Sequence, residues 1–104
     1  MLWGIIRPMK ARLIYRVRES FGRGVIEAVI WEVPEPVRPS VHRVKFRLVY
    51  VVHGKRLVGY DNERGKGDHR HYGEREEVYS FVSGAQLVAD FLEDVARPTG
   101  WRVE

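Results

Sequence analysis

The side chains best suited to chemistry are concentrated in residues 60–71, which read Tyr-Asp-Asn-Glu-Arg-Gly-Lys-Gly-Asp-His-Arg-His. This stretch holds three carboxylates, three cations and two imidazoles. Exposed ion pairs contribute only about 0 to 1 kcal/mol each, so stability alone does not explain such a concentration. The mixture of ionisable types favours a chemical role for the stretch.

Acid–base cleavage of RNA is the first hypothesis for this stretch. An imidazole has an unperturbed pKa of about 6.5, so it can give and take protons near neutrality. Metal-free cleavage needs a base for the ribose 2′-OH, an acid for the leaving oxygen and a cation for the charged phosphorane. The predicted catalytic residues are His69 and His71 as proton carriers, Glu63 or Asp61 as base or histidine orienter, and Lys66 at the phosphate.

Two other hypotheses stand beside it. Carboxylates and imidazoles bind Mn²⁺, Mg²⁺ or Zn²⁺, and the candidate ligands are Asp61, Glu63, Asp68, His69 and His71. Three cations in the same stretch oppose a metal charge, and no cofactor is expected. The remaining hypothesis is a binding or structural loop whose carboxylates pair with the neighbouring cations.

Composition limits the class of protein. The 104 residues suit one domain. Lys and Arg number 18 against 14 Asp and Glu, giving a net charge of +4, which favours an anionic partner such as RNA. There is no cysteine, which excludes disulfides and thiol catalysis. No signal peptide and no membrane-length apolar run is recognisable, so the cytoplasm is expected.

Alternating apolar and polar residues predict the strands that lead to the charged stretch. The predicted strands cover residues 10–18, 24–33, about 41–52 and 56–61. Prolines between residues 34 and 39 prevent regular pairing before the third strand, and a tight turn at His53-Gly54 makes the third and fourth strands antiparallel neighbours. The hydrophobic period ends after Tyr60, so the charged stretch is predicted as a loop leaving the fourth strand.

A fifth strand is predicted at residues 77–82, followed by a helix to Arg97. Ser83 and Gln86 fit a capping box. The apolar stripe of the helix is Leu87, Val88, Phe91, Leu92 and Val95, with Asp90, Glu93 and Asp94 mostly on the wet side. The predicted fold is α+β, a mainly antiparallel sheet of about five strands with one C-terminal helix packed on one face. The domain covers 10–97, between an N-terminal extension at 1–9 and a C-terminal tail at 98–104.

The outward positions of the first and third strands are basic, which predicts a track for a phosphate backbone. The predicted nucleic-acid contacts are Arg12, Arg16, Arg43, Lys45 and Arg47, together with Arg64 and Arg70 of the charged stretch. His42 and His53 are expected at strand ends with no special role. Exposed sheet edges, with Trp3, Ile5 and Ile6, favour a homodimer.

The string from Tyr60 to His71 closely resembles the signature of the TumE-like toxin family of toxin–antitoxin systems. The opening Lys10-Ala-Arg-Leu-Ile-Tyr, the segment Tyr79-Ser-Phe and the pair Asp90-Phe91 fit the same family. The resemblance implies a toxin neutralised by a cognate antitoxin, typically a helix-turn-helix protein. By analogy with other small toxins, the expected activity is a metal-independent ribonuclease. The alternatives are a non-catalytic protein that binds nucleic acid or a protein partner through its sheet face, and a metal-dependent nuclease.

Overall fold

A computed structural model describes residues 11–97, which form one antiparallel sheet and one helix. The elements are β1 (Arg12–Phe21), β2 (Gly24–Glu32), β3 (Val44–Val52), β4 (Lys55–Glu63), β5 (Gly67–Tyr72), β6 (Arg75–Val78) and α1 (Gly84–Ala96). Each strand pairs with the next, so the sheet order is the chain order. The predicted extension at 1–9 and tail at 98–104, with Trp3, Ile5 and Ile6, lie outside the described residues. Within residues 11–97 no helix is long and apolar enough to span a membrane.

The α+β class is confirmed, but the described sheet has six strands rather than about five. The difference arises in the charged stretch, where the predicted loop is wrong. β4 continues to Glu63, and the chain returns as β5 from Gly67. Gly65 and Gly67 adopt φ angles of 91° and 79°, a region that glycine occupies without steric cost, and this permits the tight return. The predicted strand at 77–82 is also displaced, because β6 ends at Val78.

The hydrophobic core lies between one face of the sheet and α1. Its buried residues are Ile26, Ala28 and Ile30 on β2, Phe46, Leu48 and Tyr50 on β3, Val58 and Tyr60 on β4, Tyr79 after β6, and Leu87, Phe91 and Val95 on α1. Lys45 and Arg47 alternate with the buried residues of β3, which confirms that these two basic residues point outward. We call this surface of the sheet the helix face. The opposite surface, which carries Arg16, Arg47, Asp61, His69 and His71, is the open face.

The start of α1 follows part of the predicted capping box. Ser83 Oγ accepts a hydrogen bond of 3.1 Å from the backbone N–H of Gln86. The Gln86 side chain does not return to Ser83 but donates to Asp90 Oδ1 at 2.8 Å. Ser83 thus caps the helix alone.

Two helix carboxylates predicted on the wet side instead turn toward the sheet. Tyr79 Oη donates to Asp90 Oδ2 at 2.6 Å, and Tyr72 Oη donates to Asp94 Oδ2 at 2.9 Å. Tyr60 Oη also donates to Asp94. Tyrosine hydroxyls that are removed from solvent need acceptors, and the helix supplies them. The prediction for Asp90 and Asp94 was therefore wrong.

Candidate active site

The β4–β5 hairpin sorts the charged stretch onto two faces. Across the pair, Asp61 lies opposite His69, and Asn62 lies opposite Asp68. Because successive side chains of a strand point to opposite faces, alternate residues of the stretch separate completely. The open face receives Asp61, Glu63, His69 and His71, and the helix face receives Tyr60, Asn62, Asp68, Arg70 and Tyr72.

Five side chains on the open face form what we call the histidine cluster: Asp61, Lys66, His69, His71 and Glu76. Glu76 Oε2 lies 3.0 Å from Lys66 Nζ, 3.7 Å from His69 Nε2 and 3.9 Å from His71 Nε2. His71 Nε2 lies 3.6 Å from Asp61 Oδ1. Four of the five predicted catalytic residues thus come together. The fifth, Glu63, lies on the same face at the end of β4, outside these contacts.

Glu76 is the member of the cluster that sequence reasoning missed. It lies on β6 directly opposite His71. The signal was present, since Gly73 and Glu74 separate two strands as a two-residue turn, and such a turn fixes the register of a hairpin. Because residues 60–71 were predicted as a loop, the pairing of His71 with Glu76 was not predicted.

The two imidazoles have different hydrogen-bonding environments. His69 Nδ1 lies 3.1 Å from the carbonyl oxygen of Gly67. A carbonyl only accepts, so Nδ1 carries the hydrogen and Nε2 is the lone-pair nitrogen of the neutral ring. His71 Nε2 lies between two carboxylates, 3.6 Å from Asp61 Oδ1 and 3.9 Å from Glu76 Oε2. The two side chains are only 15% and 11% exposed, so their rings are held in place by their surroundings.

Lys66 and Glu76 fix each other's charge state. The hydrogen bond to Glu76 raises the pKa of the Lys66 ammonium above its usual value. The same hydrogen bond lowers the pKa of the Glu76 carboxyl, and the nearby histidines lower it further. At neutral pH the cluster therefore presents an ammonium and a carboxylate beside the two imidazoles.

Several predicted RNA-contacting cations share the open face with the histidine cluster. One row of directly opposed residues runs across five strands: Arg16, Val29, Arg47, Asp61 and His69. Lys45 lies on the same face, opposite Trp31. A shallow groove of about 300 Å³ crosses the β1–β3 side, and its lining includes Arg16, Arg18 and Arg47. Arg43, just before β3, and Arg64, in the β4–β5 turn, are exposed.

Two other predicted contacts point to the helix face. A β-bulge between Leu13 and Tyr15 reverses the alternation of β1, so Arg12 lies opposite Glu32 and pairs with it at 2.6 Å. Arg70 Nε binds Glu77 Oε2 at 2.7 Å, and its guanidinium lies 5.4 Å from the ring centre of Tyr72. The sheet thus separates Arg70 from the histidine cluster. The contact of Arg12 and Arg70 with RNA stays a prediction.

Asp68, one of the predicted metal ligands, is held on the helix face. Ser40 Oγ donates to its Oδ1 at 2.7 Å, and His42 Nε2 lies 3.0 and 2.9 Å from its two oxygens. His42 also stacks on Phe81, with ring centres 3.8 Å apart, so the expectation that this histidine has no special role was wrong. The five candidate ligands are not brought together. Among residues 11–97, no three His, Asp or Glu side chains are arranged to hold a metal ion.

Fold and site together define a small α+β protein that carries an ionisable cluster at one side of a basic sheet face. A family model described as Toxin TumE matches residues 6–99. The chain therefore belongs to the TumE toxin family and is the toxin component of a toxin–antitoxin system, with an antitoxin as its partner. No curated protein and no solved structure matches it significantly. The family predicted from the charged stretch is confirmed.

Proposed function

We propose that this toxin cleaves RNA by metal-independent acid–base catalysis on its open face. The observation that carries the proposal is the pair of imidazoles on β5, with His69 Nε2 and His71 Nε2 at 3.7 and 3.9 Å from one carboxylate oxygen of Glu76. Two imidazoles with separate environments supply both proton transfers that the reaction requires. Lys66 offsets the charge of Glu76, which weakens that carboxylate as a metal ligand.

The proposed mechanism assigns one proton transfer to each histidine. His69 Nε2 takes the proton of the ribose 2′-OH, and the 2′-oxygen forms a bond to phosphorus. The bond from phosphorus to the 5′-oxygen breaks, and His71 Nε2 gives its proton to that oxygen. The products are a 2′,3′-cyclic phosphate and a free 5′-hydroxyl. Asp61 and Glu76, whose carboxylate oxygens lie 3.6 and 3.9 Å from His71 Nε2, keep the acid in position.

Single-histidine variants test the proposal. We expect His69→Ala and His71→Ala each to slow cleavage by about 100-fold or more, because each removes one proton transfer. His53→Asn is the matched control, since His53 lies in a turn at φ 50°, a conformation that asparagine tolerates. Wild-type cleavage should persist in EDTA and should fail on RNA whose 2′-hydroxyls are methylated. Folded His69→Ala and His71→Ala proteins with full cleavage and toxicity would exclude the mechanism.

A non-catalytic RNA- or protein-binding role is the second candidate. It is favoured by Arg16, Lys45 and Arg47, which form no ion pair with any residue in the described range 11–97. Under this alternative, replacing all three by alanine abolishes toxicity, while His71→Ala remains fully toxic. Loss of cleavage in EDTA would instead favour a metal-dependent nuclease.

We also propose that the antitoxin is a helix-turn-helix protein and that the toxin acts in the cytoplasm, where RNA is available. Sequencing the gene beside the toxin gene tests the first point, and a helix-turn-helix reading frame there is the expected result. A homodimer remains a proposal as well, with β1 and β6 as the two edges of the described sheet. Light scattering of the purified toxin measures its mass in solution directly.

A further inference from the structure

Gly59 opens a space on the open face directly beside the histidine cluster. On β4 this glycine lies opposite His71 of β5 and opposite Val49 of β3. A β-carbon at this position would lie 2.9 Å from Cδ and 3.3 Å from Nε of Arg56. The Arg56 side chain therefore lies along the strand above Gly59, on the face that carries His71.

A register shift explains how Arg56 reaches this face. Tyr50 of β3 pairs with Val58, whereas the next residue, Val51, pairs with Arg56. β4 thus has one extra residue at this point. The Arg56 side chain therefore lies on the open face with Val51 rather than on the helix face. Because Gly59 has no side chain, the aliphatic part of the Arg56 side chain can lie over it.

The guanidinium of Arg56 is available to a ligand. Within the described residues Arg56 forms no ion pair and no side-chain hydrogen bond. Lys66, by contrast, is bound to Glu76 at 3.0 Å, and Arg70 lies on the other side of the sheet. Arg56 is therefore a cation beside His71 whose five N–H donors are not occupied by a described carboxylate.

The proposed reaction lacks one component that Arg56 supplies. The phosphodiester carries one negative charge, and a second develops when the 2′-oxygen attacks. Donors already in place where that charge develops give large rate effects. A planar guanidinium binds two phosphate oxygens at once, which fixes the orientation of the phosphorus as well as its charge.

We infer that the guanidinium of Arg56, whose side chain lies over Gly59, binds the scissile phosphate on the open face beside the acid His71. The inference rests on the proposed ribonuclease function and adds the residue that contacts the reacting phosphate. The ligand class is a phosphodiester of an RNA strand. Gly59 acts as a positioning residue, because any side chain there would displace Arg56.

The first experiment removes only the guanidinium. Arg56→Met keeps an unbranched apolar stem over Gly59, and we expect kcat to fall by about 100-fold. Arg56→Lys keeps the charge without the planar fork, so its kcat should lie between those of Arg56→Met and wild type. Arg75→Met is the matched control, since Arg75 lies over the ring of Tyr72 at 5.2 Å on the helix face. Full activity of Arg56→Met would overturn the inference.

A double-mutant cycle tests the role of Gly59. Gly59→Ala should lower kcat because its β-carbon forces Arg56 to move. If the effect acts through the arginine, adding Gly59→Ala to Arg56→Met changes kcat no further. A full, additive loss in the double variant would contradict the positioning role. Thermal unfolding of all four proteins shows whether each is folded.

A binding experiment separates failure of this inference from failure of the proposed function. The probe is a short RNA with methylated 2′-hydroxyls, followed by fluorescence anisotropy over a range of salt concentrations. Arg56→Met should weaken binding several-fold and reduce the slope of log Kd against log salt by about one, whereas Arg75→Met should not. If the wild type cleaves no RNA, the ribonuclease proposal fails and this slope alone decides the phosphate site. An unchanged slope overturns the site.

Discussion

His69 and His71 owe their common environment to their two-residue spacing on β5. On the opposite face, Arg70, which lies between them, makes an ion pair with Glu77, and Asp68, which lies before them, accepts a hydrogen bond from His42. Alternate residues of one strand therefore differ in their surroundings: one set makes contacts that hold the strand on the helix face, and the other carries the two imidazoles of the histidine cluster on the open face. The effect of a substitution in residues 60–71 therefore depends first on the face of the sheet on which the side chain lies, and then on the chemical type of that side chain.

At the residue scale, the Lys66–Glu76 pair makes a titration prediction. Replacing Lys66 with Gln removes the hydrogen bond that lowers the pKa of Glu76, so we expect that pKa to rise toward the usual carboxyl range. Carbon-13 NMR of the Glu76 side-chain carboxyl measures the change. Because a lowered pKa keeps the wild-type carboxylate ionised at acidic pH, Lys66→Gln should lose cleavage at a higher pH on the acid side. An unchanged Glu76 titration would contradict this assignment, and Lys55→Gln is the charge-matched control.

At the scale of elements, the proline-rich segment before β3 anchors the β4–β5 hairpin. The N–H of Gly65 donates to the carbonyl of Arg38 at 2.8 Å, and Asp68 receives hydrogen bonds from Ser40 and His42. Val44 N–H donates to His42 Nδ1 at 3.2 Å, which leaves Nε2 with the hydrogen that it donates to Asp68. The segment that connects β2 to β3 thus holds the β4–β5 turn, which carries Lys66.

His42→Phe tests this anchor. Phenylalanine retains stacking on Phe81 but removes both the donor to Asp68 and the acceptor of the Val44 N–H, so each of these groups loses a partner. We expect the free energy of unfolding to fall by about 1 to 3 kcal/mol. Urea unfolding followed by circular dichroism measures it, and hydrogen exchange at the Gly65 amide should become faster. The control His53→Asn should stay within about 0.5 kcal/mol of wild type. Equal stability of His42→Phe and wild type would show that the contact with Asp68 contributes nothing.

The strands and the helix differ in how well the sequence predicts them. β2, β3 and α1 were predictable because each has an apolar face, and apolar periodicity is the main signal of secondary structure. The β4–β5 hairpin has no such face after Tyr60. Its helix face carries the polar residues Arg70 and Asp68, which have partners there. Its open face carries the histidine cluster. The bulge in β1, which turned Arg12 to the helix face, depends on pairing with β2 and leaves no mark in the alternation itself.

At the scale of the whole molecule, the sheet separates the proposed chemistry from the contacts that dock the helix. Asp94 of α1 accepts hydrogen bonds from Tyr60 and Tyr72, and Asp90 accepts one from Tyr79. Three tyrosines of the sheet and the segment after it thus bind two carboxylates of the helix. This interface depends on the hydroxyls remaining protonated, which makes the docking of α1 sensitive to alkaline pH.

Burial raises the pKa of Tyr60 well above its ordinary value, and the hydrogen bond to Asp94 raises it further. The folded state then keeps a proton that the unfolded state loses above about pH 10, so stability is full below that pH and falls as pH rises. We expect a slope of up to about 1.4 kcal/mol per pH unit from this tyrosine. Urea unfolding between pH 8 and 11 measures the slope. Tyr60→Phe should show a shallower decline, and because slopes are compared, the constant cost of the lost hydroxyl cancels. Equal slopes would mean that Tyr60 does not carry the alkaline sensitivity of the helix interface.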